Sequence, residues 1–178
     1  IEKFPVENYE YNYLIDGRVV TDPYASAICG REVWGKAPKG ESALRSRAVF
    51  DEYDWQGDAP LQLAWQDVVI YAAHVRGFTR HASSGVKAKG TFAGIAEKIP
   101  YLKELGINQL ELMPVYEFAE VETWDEKRPP LRRPGNGQKE LLNYWGYADA
   151  YYFAPKASYS ATGDPVREFK DLVRELHR

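Results

Sequence analysis

Gly30, four intervening residues and then Gly35-Lys36 approach the spacing of a phosphate-binding loop. In such a loop backbone amides cradle phosphates and a following Ser or Thr holds magnesium. Ala37 occupies that position here, and Pro38 stands where the loop should enter a helix, so nucleotide binding is set aside. His74, His81 and His177 are scattered without metal-ligand spacing, and no Ser has the surroundings of a nucleophile elbow. Paired carboxylates could serve glycoside hydrolysis. Glu111 and Glu117 fall on or after an expected strand, and Asp125 and Glu126 in an expected loop, where solvated charge is the favoured reading. The single cysteine, Cys29, cannot close an internal disulfide; a reducing compartment is compatible with it, and the chain is assigned to the cytoplasm. From the residues alone no catalytic set, metal site or cofactor emerges.

The elements that would position these groups are legible in part. Tyr9, Tyr11 and Tyr13 alternate, Asp16-Gly17 marks a hairpin turn, and Val19-Val20 resumes an extended pattern. Residues 31–66 carry Gly, Pro, Lys and Glu with little periodicity and read as a surface linker. Val68 to Tyr71 is a continuous apolar run of the kind found in buried parallel strands. Phe92, Ile95, Ile99, Leu102 and Leu105 then recur at helical spacing, with Gly106 placed as a C-terminal cap and Pro100 predicting a kink or a restart. A second strand is expected from Leu110 to Val115, and a long loop over 119–142. Asp164 and Pro165 open a last helix with Phe169, Leu172, Val173 and Leu176 on one face. Strand, helix, strand, helix is the pattern of the α/β class.

Composition bounds the rest. With 178 residues, 44% hydrophobic and 28% charged, the chain is globular, and its net charge of −3 without a basic stripe argues against nucleic acid as a partner. The apolar runs are too short to span a bilayer, so no membrane partner is expected. Starting at Ile1 rather than Met hints at excision from something longer. Aromatic residues reach 14%, including 13 Tyr, and such rings suit cores and sugar faces alike.

Three segments resemble the debranching branch of glycoside hydrolase family 13, the isoamylases, pullulanases and bacterial glycogen debranching enzymes. Val69-Ile70-Tyr71-Ala72-Ala73-His74-Val75-Arg76-Gly77-Phe78-Thr79 is similar to that family's first barrel strand. Gly90-Thr91-Phe92 through Ile107, continuing into Glu111-Leu112-Met113-Pro114-Val115, resembles its first helix and second strand. The third is Asn143-Tyr144-Trp145-Gly146-Tyr147, with Tyr152-Phe153-Ala154-Pro155 and the helix from Asp164. Upstream, Tyr11 to Ala25 resembles the last strands of a family-48 carbohydrate-binding module. Ala72 stands where the family usually has Glu, and Ala148 where Asn or Asp is common.

The resemblance implies an α/β fold: about two βα units at the N-terminal part of a (β/α)8 TIM barrel, over 67–178. Residues 1–30 would be the C-terminal strands of a β-sandwich module, and 31–66 the linker. It implies a retaining hydrolase of α-1,6 branch linkages in glycogen, starch or pullulan, with α-glucan as partner. The family's nucleophile Asp, acid/base Glu and second Asp lie on later strands, so no catalytic residue is assigned and the chain by itself is expected to be inactive. The aromatic matching Tyr147 would stack on the sugar beside the scissile bond, with core packing the alternative. Trp145 and Phe153 are expected in the core. His74 and Arg76, taken as one face of the first strand, would support the barrel mouth by orienting carboxylates; a structural hydrogen bond or ion pair is the favoured reading. A noncatalytic glucan-binding or structural module is the alternative function. Two strands cannot close a barrel of eight, so self-association or the remainder of the barrel is expected to cover the open edges.

Overall fold

The computed structural model describes residues 9–40, 43–50, 52–121 and 142–178. The described residues form four small sheets and four α-helices, with buried side chains gathered in two clusters. Strand β1 (Glu10–Tyr11) is followed by the hairpin β2 (Tyr13–Ile15) and β3 (Arg18–Val20). Asp16 and Gly17 take φ of 49° and 75° between them, the left-handed pair that a two-residue hairpin turn needs. Strand β4 (Ala27–Cys29) is wholly buried. It pairs antiparallel with β5 (Arg45–Arg47), which also pairs with β1, giving the order β1-β5-β4.

The segment 31–66 is therefore more than a linker. Arg45-Ser46-Arg47 reads as charged and aperiodic, yet Ser46 is buried and its hydroxyl accepts from the Asp22 amide at 2.9 Å. Trp34 packs into the main core from the same segment.

The first parallel strand, β6 (Ile70–Ala73), begins two residues later than the apolar run suggests. Helices α1 (Val75–Arg80), α2 (Phe92–Ala96) and α3 (Ile99–Glu104) cross over to β7 (Gln109–Leu112), which pairs with β6 in parallel register, Ile70 opposite Gln109 and Ala73 opposite Leu112. The expected restart at Pro100 is the junction of α2 and α3, where Pro sits in a first turn and needs no amide hydrogen. The α3 terminus closes as a Schellman motif: Gly106 (φ 81°) donates to Lys103 O at 3.0 Å and Ile107 to Leu102 O at 3.4 Å. The β6–β7 pair is not buried as a continuous apolar run would be. Ile70 is 50% exposed, because among the described residues each strand has one neighbour.

After β7 the chain forms β8 (Tyr116–Phe118), which pairs antiparallel with β9 (Ala150–Pro155). Helix α4 (Pro165–His177) starts as expected, with the Asp164 carboxylate accepting from the Arg167 amide at 3.0 Å. Val75, Phe92, Ile95, Phe118, Tyr159 and Leu172 form the main core, and Ala25, Ile28 and Ala154 join β4 to β9. At about 25 cal/mol per Å2 each buried Phe or Leu contributes roughly 2 kcal/mol. The class is mixed α/β.

Candidate functional site

His74, which directly follows β6, meets the turn 143–148, and aromatic rings gather around it. His74 and Arg76 do not lie on a strand: β6 ends at Ala73, His74 caps α1 and Arg76 belongs to its first turn. The resemblance places Val75 to Thr79 on the first strand, but the His74 cap turns the chain into a helix there.

The His74 ring is buried and committed. Its Nδ1 accepts from the Gly77 amide at 3.0 Å, which can only donate, so the proton sits on Nε2. Nε2 then donates to the Tyr144 carbonyl oxygen at 2.8 Å, with the Tyr159 hydroxyl at 3.3 Å. Burial, the main cause, holds the imidazole below its usual value and so keeps it neutral. The ring stacks on Tyr144 at 4.2 Å and 8°. Arg76 places its guanidinium 4.7 Å over Trp34, which itself stacks on Tyr159 at 5.7 Å. Both side chains thus hold the floor of the site.

The turn above them is fixed on three sides. Asn143 takes its amide to Glu120 O at 2.8 Å and its Oδ1 to the Gly146 amide at 3.1 Å. Tyr144 is tied to His74 through its carbonyl. Gly146, at φ 80°, lies against Phe118 so closely that a Cβ would stand 2.5 Å from the ring. Only glycine fits there. The result is that Tyr147, next in sequence, is 74% exposed on a rigid turn. Trp145 and Phe153, expected in the core, are exposed instead at 53% and 61%. The core positions go to Phe118 and Tyr159, which composition could not separate from the other rings.

Beneath the site lies a sealed ionic cluster that sequence reading missed. Lys156 Nζ is 2.9 Å from Glu117 and 2.7 Å from Glu120, and donates to Phe118 O at 3.0 Å. Glu117 also accepts from the Ala157 amide at 2.7 Å, with Arg31 at 3.8 Å; Glu120 accepts from the Ser158 hydroxyl at 2.7 Å and from the Gly35 amide. Burial pushes the Glu117 carboxyl upward against the opposing pull of Lys156. The near-match to a phosphate loop therefore spends its Gly35 amide on a carboxylate. Burial pushes the Cys29 thiol up to about 12, which leaves it unreactive. Among the described residues no acidic, His or Cys group forms a metal site, and no helix is long and apolar enough to cross a membrane. Asp125 and Glu126 lie outside the described residues.

No family model matches the chain. It is 36% identical over 197 residues to the chloroplastic isoamylase 1 of Oryza sativa subsp. japonica, covering 97% of this chain and 23% of that protein. It is 41% identical over 136 residues to the glycogen debranching enzyme of Dickeya chrysanthemi, covering 75% of this chain and 19% of that protein. Its fold is similar to pullulanase type I from Bacillus subtilis str. 168, solved with maltose, with a TM-score of 0.65 at 28% identity over 97% of this chain and 24% of that one. The chain spans about a quarter of the length of the curated relatives it matches. Four plant relatives are chloroplastic isoamylases, so the cytoplasmic assignment drawn from the sequence does not stand.

Proposed function

Because the chain belongs to the debranching branch of glycoside hydrolase family 13, we propose that it is part of an enzyme that hydrolyses α-1,6 branch linkages in α-glucans, with Tyr147 stacking on a glucose ring. In this reading β6 and β7 with their helices are the first βα units of an eight-stranded barrel. Strands β1 to β4, within residues 1–30, are the last strands of a carbohydrate-binding sandwich, and 31–66, which adds β5 to the sheet of β1 and β4, leads on to the barrel. What supports the Tyr147 assignment is its display: a 74% exposed phenol on a turn tied to His74, the residue directly after the first parallel strand, the end at which barrels gather their sites. A pyranose presents an apolar C–H face that such a ring covers while its hydroxyl stays wet. His74 and Arg76 support the site from below rather than by touching sugar.

Affinity electrophoresis tests the assignment. The wild-type chain is expected to be retarded in a glycogen gel, and Tyr147→Ala to weaken that interaction about tenfold, or ~1.4 kcal/mol. Equal mobility of the two would remove Tyr147 from the site. Its exposure means that truncation leaves the fold intact.

Retaining hydrolysis needs two carboxyl groups about 5 Å apart facing the sugar. Glu117 and Glu120 are close to one another, but both are sealed from solvent and bonded to Lys156. The 178-residue chain by itself is therefore expected to release no reducing sugar from pullulan. Release above the buffer rate by the purified chain would refute this.

A further inference from the structure

The β8–β9 pair contains a register shift. Tyr116 faces Pro155 while Glu117 faces Tyr151, so Tyr152, Phe153 and Ala154 have no residue opposite. Successive strand residues normally point to opposite faces, and a bulge breaks that alternation. Here it brings two consecutive rings to the surface, with Tyr152 62% exposed beside Phe153. Tyr152 sets its ring edge-on to Tyr116, at 4.9 Å and 65°. Phe153 turns away to pair with Tyr24 at 5.5 Å. Tyr116 opens the strand whose last residue, Phe118, seats Gly146, the neighbour of Tyr147, and its hydroxyl is held above its usual value by burial first and then by the phenols of Tyr152 and Tyr147.

We infer that Tyr116 and Tyr152 extend the Tyr147 platform, forming a second position that takes another glucose residue of the same α-glucan chain. The inference rests on the Tyr147 reading and adds the length of glucan the surface recognises. Three phenols, each an apolar face beside a hydroxyl, match a polyhydroxylated ring with a C–H face better than they match an aliphatic helix. The platform is also stiff. On one side of the bulge Ala154 and Lys156 are buried, and on the other Gly146 is seated on Phe118, so little freedom is lost on binding.

NMR titration of the chain with maltotriose and with maltohexaose separates the outcomes. Tyr152→Ala is expected to weaken maltohexaose binding about three- to tenfold and to leave maltotriose unchanged. Tyr152→Phe keeps the ring and should bind both sugars as the wild type does. Tyr147→Ala should weaken both. An equal effect of Tyr152→Ala on the two sugars, or none on either, overturns the extension and leaves Tyr147 in place. A wild-type chain that binds neither sugar overturns the Tyr147 reading and the extension together.

Discussion

Lys156→Met is expected to destabilise the chain by about 3–5 kcal/mol, read as a lower urea midpoint at unchanged slope. The substitution fills the same volume but strands Glu117 and Glu120, both buried, without their shared cation. Each carboxylate keeps some donors: Ala157 N for Glu117, and the Ser158 hydroxyl and Gly35 N for Glu120. Those bonds hold the negative charges in place without neutralising them; Arg31 lies 3.8 Å from Glu117, and Arg76 is near enough to sense the Glu120 charge. Adding Glu117→Gln to Lys156→Met removes one stranded charge and should recover part of the loss. A single variant within about 1 kcal/mol of wild type would show that the cluster is hydrated and not sealed.

Glu168→Ala is expected to cost about 3–4 kcal/mol, since it removes a buried carboxylate that gathers five donors, and a hydrogen bond to a charged group contributes about 1.5–3 kcal/mol. One carboxylate oxygen accepts from the Ala93 amide at 3.0 Å. The other takes the Ala161 amide at 2.8 Å, the Thr162 amide at 3.1 Å and the hydroxyls of Ser160 and Thr162 at 3.0 and 3.1 Å. A single side chain thus joins the start of α2 to the turn that launches α4, across the ring contact of Phe92 and Phe169 at 5.0 Å. Thermal unfolding should register a fall of about 10 °C. Glu168→Gln, which presents an NH2 to some of these donors, should not restore the wild-type value. A shift of the alanine variant below about 2 °C would mean that water replaces the carboxylate.

What the sequence disclosed about this fold follows from how locally each feature is encoded. Asp164-Pro165, Gly106 and Asp16-Gly17 act on the backbone within a turn of themselves, and each element they mark is present. The apolar run at 68–71 located a strand but not its bounds or its exposure, because burial depends on neighbours that periodicity does not record. Strand β5 was invisible for the opposite reason. Its inward residue is a serine, recognised only through the Asp22 amide it serves. Residues 75–79, placed on a strand by the resemblance to a first barrel strand, are helical because the His74 imidazole caps the chain there. At the site, Tyr147 was singled out through its place in Asn-Tyr-Trp-Gly-Tyr, a segment picked by resemblance and not by any local spacing. Trp145 and Phe153 were misplaced because a large ring carries no mark of which side it faces. Lys156 and Glu117 lie 39 positions apart in the chain, and no spacing rule joins those charges.

The chain departs from the core at Glu120 and returns at Asn143, and those two residues share a backbone hydrogen bond of 2.8 Å. A second tie runs from the Asn143 amide group to Ala119 O at 3.3 Å. Both ties are made by the first residue of the aromatic turn itself, to the two residues that directly follow β8. The turn thus carries its own anchorage, and where it begins is set by bonds that belong to its own sequence and to the end of that strand.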